Sequence, residues 1–97
     1  DAGIIVDCSH GNSNKDYTRQ PLVALDVVEQ ICAGNKSIIG IMLESNINAG
    51  KQSSDLAKED LAYGVSVTDA CIDFAETEQL LADVEAQLSG CLTSRIA

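Results

Sequence analysis

Two short aliphatic runs, at positions 3–6 and 38–43, each end in a segment of polar residues. The first run leads into a turn-forming segment that carries His10, and the second ends at Glu44. Nearly continuous apolar runs are typical of parallel strands that are covered on both faces. Parallel strands bring their carboxyl ends to one edge of a sheet, where α/β proteins bind their ligands. The pattern therefore predicts an α/β fold with a site at that edge.

The residues between these runs have the pattern of an amphipathic helix over positions 19–33. Pro21 lies near its start and Gly34 follows its end, which is the usual punctuation of a helix. Its apolar stripe consists of Leu22, Leu25, Val28 and Cys32, widened by Val27 and Ile31. Strand, loop, helix and strand in this order predict a complete βαβ unit.

Fewer secondary-structure elements are predicted for the second half of the chain. Positions 46–64 have little periodicity, and a loop of that length is usually functional or mobile. A short alternating run follows at 63–69, and a second amphipathic helix is predicted over 77–88, with Ser89 and Gly90 as its end. Two strands and two helices cannot cover both faces of a sheet. We therefore expect the chain to be part of a larger fold, or to associate with itself.

Charge and cysteine content limit the classes of partner. The net charge is −9 and basic residues are not clustered, so we expect neither nucleic acid nor an anionic membrane surface as a partner. The longest apolar run is far shorter than the ~20 residues of a membrane span. No targeting segment precedes the first strand, so the chain reads as a processed or cloned piece. The four cysteines fit no zinc or CxxC pattern and predict reduced thiols in a cytoplasmic protein.

His10, Glu44 and Asp69 are the candidate metal ligands. Adjacent parallel strands lie ~4.8 Å apart, so side chains at their ends can share one ion, and Asp69 follows the long loop that returns to this edge. Imidazole and carboxylate ligands suit Mn²⁺, Fe²⁺, Co²⁺ or Zn²⁺ better than Mg²⁺. The spacing also permits a plainer interpretation, in which His10 is a loop histidine, Glu44 a solvated strand-end acid and Asp69 a helix N-cap. Lys15 either binds an anion beside His10 or is simply solvated.

Three separate segments resemble the C-terminal portion of the microbial type I 3-deoxy-D-arabino-heptulosonate 7-phosphate (DAHP) synthases. They read VDCSHGNSNK at 6–15, IIGIMLESN at 38–46 and YGVSVTDACI at 63–72. The similarity runs essentially from end to end of the chain, and the first segment is most similar to the tyrosine-regulated form. The resemblance implies that residues 1–97 are the C-terminal quarter of a (β/α)8 TIM barrel, namely its last two βα units, and not a complete domain.

The resemblance also implies a function. DAHP synthases condense phosphoenolpyruvate with erythrose 4-phosphate in the first step of the shikimate pathway, using a divalent metal held by one Cys, one His, one Glu and one Asp. The last three fall on His10, Glu44 and Asp69. The family's Cys lies in a Gly-Pro-Cys-Ser loop that is not found in this sequence, and Cys8 does not match it. Resemblance assigns catalytic contacts with the substrates to His10 and Asp69.

Most of the family's substrate-binding cations also lie outside the matching segments, so we expect the 97-residue chain alone to be inactive and the parent protein to be a homo-oligomer. Two other interpretations remain open. The chain is either a free-standing, non-catalytic metal-binding or association module, or a fragment of an unrelated aldolase or phosphate-handling barrel. The residues encoded upstream of Asp1 distinguish them, because a Gly-Pro-Cys-Ser loop there would establish the synthase.

Overall fold

A computed structural model of the chain describes the backbone of residues 3–96 and the side chains of residues 3–91. Strand β1 spans Ile4–Asp7 and is followed by a single helical turn, α1, at His10–Ser13. A 3₁₀ turn at Tyr17–Arg19 leads into helix α2, Gln20–Cys32, and then strand β2, Ile38–Met42. After a long loop with one 3₁₀ turn, helix α3 covers Phe74–Ile96. No helix in the described part of the chain is long and apolar enough to cross a membrane.

The predicted βαβ unit is confirmed. Strands β1 and β2 pair in parallel, with Ile5 opposite Gly40 and Asp7 opposite Met42. The ladder continues one residue further, because the backbone N–H of Cys8 donates to the carbonyl of Met42 at 2.9 Å. Helix α2 lies within one residue of the predicted bounds at either end. Both chain segments that follow the strands therefore leave the sheet at the same edge.

Helix α2 supplies most of the core. Its buried apolar residues face the strands and α3, and they belong to two clusters. One cluster joins Ala24 to Cys8, Ile72 and Leu80, and the other joins Val27 and Ile31 to Ile38. The predicted stripe was therefore wrong at two positions, since Leu22 and Cys32 are exposed. The buried face is rotated by a fraction of a turn toward Gln20 and Ala24.

The long loop is irregular but closely hydrogen-bonded. The side chain of Gln52 donates to the carbonyls of Ala62 and Val65 and accepts from the N–H of Ala62, so it joins the two sides of the loop. Gly64 has a φ of 70° and lies so close to Ile47 that a Cβ atom would meet the Ile47 Cβ at 2.6 Å. The loop thus turns back and delivers the segment after it to the carboxyl end of β2.

Helix α3 differs from its prediction at both ends. It begins at Phe74 rather than at 77, because the Asp73 side chain accepts a hydrogen bond from the N–H of Glu76 at 2.7 Å and caps the first turn. It also continues through Ser89 and Gly90, where an end was predicted. A glycine inside a helix costs only about 1 kcal/mol, which the packing of neighbouring turns can offset.

A disulfide links Cys32, at the end of α2, to Cys91 in α3. The prediction that all four cysteines are reduced is therefore wrong for this pair, whereas Cys8 and Cys71 are free thiols. The sequence did not reveal the pairing because it depends on how two helices pack, with the two Cα atoms 5.1 Å apart across a separation of 59 residues. Spacing along the chain does not encode that contact.

One face of the two-stranded sheet has no cover. Ile5 and Ile39 are each 65% exposed, although both lie in the strands. The Cα radius of gyration is 15.7 Å, against about 12.5 Å for a compact domain of this length. The open face is a reason to expect further elements that complete the core, and that expectation stays a prediction. The TIM barrel itself remains a prediction.

We predict that the isolated chain self-associates at micromolar concentration through this face. Burial of an exposed isoleucine stabilises a contact by about 1.5–3 kcal/mol, so the double substitution Ile5→Thr, Ile39→Thr should weaken association at least about tenfold. Sedimentation equilibrium measures the change. Leu22→Thr is the matched control, because Leu22 is 66% exposed but lies on α2. A monomeric wild-type chain, or an equal effect of the control, would contradict the prediction.

Candidate metal centre

The parallel register of β1 and β2 brings His10 and Glu44 together. His10 follows the end of β1 by three residues and Glu44 follows the end of β2 by two. The distance from His10 Nε2 to Glu44 Oε1 is 3.3 Å, and from His10 Nε2 to Asp69 Oδ2 it is 2.9 Å. One potential ligand atom from each of the three residues lies within 4.8 Å of the other two. The structure therefore brings together the three ligands that the sequence suggested.

Asp69 reaches the site through the segment that follows the long loop. The N–H of Asn46 donates to the carbonyl of Ile72 and the N–H of Ile72 donates to the carbonyl of Glu44, so this segment lies alongside the end of β2. The alternative interpretation of Asp69 as a helix N-cap is wrong, because α3 begins at Phe74 and Asp73 makes the capping contact. Asp69 is about half-exposed, and its carboxylate contacts His10.

The turn that carries His10 has an unusual backbone. His10 has a φ of 35°, and Asn14 and Lys15 have φ values of 58° and 60°, all in the left-handed region that residues with a Cβ seldom adopt. Local hydrogen bonds hold this turn: the Asn12 side chain donates to the carbonyl of Asp7, and the N–H of Lys15 donates to the carbonyl of His10. Such strain persists where the surroundings enforce it, and it is common at functional sites.

Asp7 fixes the orientation of the imidazole. His10 Nδ1 lies 2.7 Å from Asp7 Oδ2, so Nδ1 is the donor in this pair and Nε2 faces the two other carboxylates. This hydrogen bond raises the pKa of His10 above its ordinary value, and the hydrogen bond to Asp69 adds to the effect. The same bond from His10 lowers the pKa of Asp7. A histidine that ligates a metal commonly donates its other N–H to a carboxylate in this way.

Glu44 is held by two residues to which the sequence assigned no role. The hydroxyl of Ser9 donates to Glu44 Oε1, and the side chain of Gln20 makes two hydrogen bonds to the Glu44 backbone. A signal for Gln20 was present, since it shares a helical face with Ala24, Val27 and Ile31, and a polar residue on a buried face must find partners. Asp7 lies three residues before His10, which permits their contact across a turn.

The donor set fits a divalent transition metal. Bonds of about 2.0–2.2 Å place two ligand atoms of one ion about 3–3.5 Å apart, so little movement separates the observed distances from a bound arrangement. One imidazole and two carboxylates suit Mn²⁺, Fe²⁺, Co²⁺ or Zn²⁺. Catalytic zinc sites commonly use three protein ligands and leave a position for substrate or water. The residues present are therefore sufficient for a site with an open position.

Cys8 lies outside this cluster, although it is close to it in sequence. Its side chain is fully buried in the core with Ala24, Ile72 and Leu80. Burial, with a further contribution from the charge of Asp7, raises the pKa of the Cys8 thiol to about 11. A protonated thiol that faces the core is not available as a ligand.

Lys15 is exposed and lines a cavity of about 150 Å³ beside the cluster. The other residues around this cavity are Ser9, His10, Lys51, Asp69 and Ala70. The cavity thus joins two lysines to two of the three candidate metal ligands. Lys51 was not predicted as a site residue, although the segment GKQS at 50–53 also fits the family resemblance.

We predict that Cys8 reacts slowly with iodoacetamide at pH 8 in the native chain, because the thiolate is the reactive form and the folded environment suppresses it. In urea its pKa returns to about 8.5 and labelling should accelerate by at least about a hundredfold. Peptide mass spectrometry under non-reducing conditions measures the labelling of Cys8 separately from that of Cys71. Equal rates for Cys8 in buffer and in urea would contradict its buried placement.

Comparison with known proteins gives one consistent result. Residues 1–82 match the model of the DAHP synthetase I family. The Tyr-sensitive phospho-2-dehydro-3-deoxyheptonate aldolase of Escherichia coli is 58% identical over 94 residues, which cover 97% of this chain and 26% of that protein. The phenylalanine-inhibited enzyme of Saccharomyces cerevisiae is 52% identical over 80 residues, which cover 80% of this chain and 22% of that protein.

A solved structure agrees with these relatives. The phospho-2-dehydro-3-deoxyheptonate aldolase of Francisella tularensis superimposes with a TM-score of 0.81 at 44% sequence identity, covering 90% of this chain and 25% of that chain. The chain thus spans about a quarter of the length of each of these three relatives. The resemblance read from the three sequence segments, including the similarity to tyrosine-regulated members, is confirmed.

Proposed function

Because the chain belongs to the DAHP synthetase I family, we propose that it forms the C-terminal quarter of a metal-dependent DAHP synthase. Its relatives are enzymes named phospho-2-dehydro-3-deoxyheptonate aldolase. The proposed reaction joins phosphoenolpyruvate to erythrose 4-phosphate and releases phosphate. C3 of phosphoenolpyruvate attacks the aldehyde, water adds at C2, and the phosphate group leaves. The observation that carries the proposal is the convergence of His10, Glu44 and Asp69 at one edge of the sheet.

In this proposal His10, Glu44 and Asp69 hold a divalent ion, which would supply Lewis-acid polarisation of the aldehyde. The hydrogen bond from His10 Nδ1 to Asp7 supports this role, because it leaves Nε2 directed at the carboxylates. The open side of the cluster supports it as well, since a cavity lies against His10 and Asp69. In the parent barrel a cysteine from another part of the protein completes the ligand set.

The substrate contacts follow from the same cavity. His10 is positioned to contact phosphoenolpyruvate or the attacking water, and Asp69 to hold a hydroxyl of the sugar phosphate. Lys15 lines the cavity together with His10 and Asp69, so its ammonium group is suited to a phosphate or carboxylate of either substrate. Most of the positive charge that two phosphorylated substrates need would come from elsewhere in the barrel, since the chain carries 6 basic against 15 acidic residues.

A chimeric enzyme tests the ligand assignment. We expect this chain, in place of the last quarter of the Escherichia coli relative, to give an active synthase. His10→Ala or Glu44→Ala should then lower turnover and bound metal by at least about a hundredfold, because ligands do more for the site than for the core. Lys36→Ala, which changes an exposed residue in the turn before β2, is the control. Turnover at the unsubstituted rate in either ligand variant would refute the assignment.

We predict that the isolated 97-residue chain forms no DAHP. It lacks one metal ligand and most of the cations that orient the substrates, and each loss compounds the other. The assay measures product from phosphoenolpyruvate and erythrose 4-phosphate with added Mn²⁺, using chain that was purified from a host strain without its own synthases. Product formation that EDTA abolishes would show that the chain is a complete enzyme.

A further inference from the structure

We propose that Gln20 is a positioning residue that holds Glu44 in the geometry required of a metal ligand. The inference rests on the proposed metal site. Gln20 begins α2 and is fully buried, although its side chain is a polar amide. Its Nε2 donates to the carbonyl of Glu44 at 3.0 Å, and its Oε1 accepts from the N–H of Glu44 at 2.8 Å. Both ends of the amide are thus used on the backbone of one residue.

The position of Glu44 explains why such a contact is needed. Glu44 lies two residues beyond the last residue of β2, where the ladder with β1 has ended. Its carbonyl also accepts from the N–H of Ile72, but its own N–H has Gln20 Oε1 as its acceptor. Gln20 therefore takes the place of a strand partner at this point. It fixes the backbone from which the carboxylate projects.

The Glu44 side chain and its backbone have separate partners. Ser9 donates to the carboxylate, whereas Gln20 contacts only the main chain. Ser9 precedes His10, so the side-chain contact ties Glu44 to the first ligand, and the contact with Gln20 ties it to the helix. Free rotation of the Glu44 peptide would move the carboxylate away from His10 Nε2, which lies 3.3 Å from Oε1. Loss of a group that orients a ligand typically weakens metal binding about 10–100-fold.

The test uses three variants of the chain. Gln20→Met keeps the volume of the side chain and removes both hydrogen bonds. Gln20→Glu keeps an oxygen that accepts from the N–H of Glu44 in either protonation state. Val28→Ala is the control, because Val28 is 2% exposed on the same helix and belongs to the core. Amide exchange of Glu44 measured by NMR reports the contact, and electron paramagnetic resonance of free Mn²⁺ reports binding.

We expect Q20M to accelerate exchange of the Glu44 amide and to raise the Kd for Mn²⁺ about tenfold. Q20E should restore most of the protection of that amide and most of the Mn²⁺ affinity. V28A should lower the melting temperature and leave the Kd within about twofold. Equal Mn²⁺ binding by Q20M and wild type would overturn the role of Gln20 alone. Equal losses in Q20M and Q20E would overturn it too. If only the chimeric enzyme binds Mn²⁺, because it supplies the missing cysteine, the same variants are compared in the chimera. Absence of Mn²⁺ binding by both the wild-type chain and the wild-type chimera would overturn the metal site, and the role of Gln20 with it.

If Q20M does not fold, Q20E decides the question by itself. Slow exchange of the Glu44 amide with a Kd within about threefold of wild type supports the inference, since the retained acceptor then preserves the site. Slow exchange with a tenfold loss overturns it, because the contact would be present without its effect. Fast exchange with unchanged binding overturns it as well.

Discussion

The parallel pairing of β1 with β2 is the constraint on which the candidate site depends. In this register Asp7 lies opposite Met42, and the ladder ends with a hydrogen bond from the N–H of Cys8 to the carbonyl of Met42. The chain therefore leaves both strands at the same edge, and His10 and Glu44 meet there. A shift of one residue would turn the side chains at the strand ends to the opposite face of the sheet. The aliphatic packing of α2 on the strands, which fixes this register, thereby also fixes the site.

Three polar residues hold the members of the cluster in place, and Ser9 among them also lines the cavity. Asp7 determines which nitrogen of His10 faces the carboxylates, and Ser9 and Gln20 hold Glu44. The partner of His10 is local in sequence, whereas Glu44 is held by Ser9, which precedes His10, and by Gln20 at the start of α2. Asp69 differs, because its side-chain contact in the cluster is to His10 and it is the most exposed of the three. The cluster thus combines two firmly held candidate ligands with a third at the end of a long loop.

The sequence predicted those parts of the fold that depend on neighbouring residues. The two strands and α2 follow from apolar runs and from punctuation by Pro21 and Gly34, and the structure reproduces them within about a residue. Contacts between distant elements were not predictable in this way. The pairing of Cys32 with Cys91 and the partnership of Gln20 with Glu44 depend on where helices lie on the sheet. The end of α3 was missed because helical packing outweighs the weak preference of Gly90.

If the chain is part of the proposed barrel, the open sheet face and the absence of the barrel's fourth metal ligand have one common origin. In a parallel α/β arrangement, alternate side chains of each strand form two sets. The first set faces the helices, and the second set faces the opposite side of the sheet. Here α2 and α3 cover the first set, whereas Ile5 and Ile39 on the second set remain 65% exposed. The ligands stand at the ends of the same two strands. In the proposed barrel, further strands cover Ile5 and Ile39, and the ends of those strands lie at the edge beside His10 and Glu44. In the proposed barrel, the same added strands would therefore complete both the hydrophobic core and the metal site.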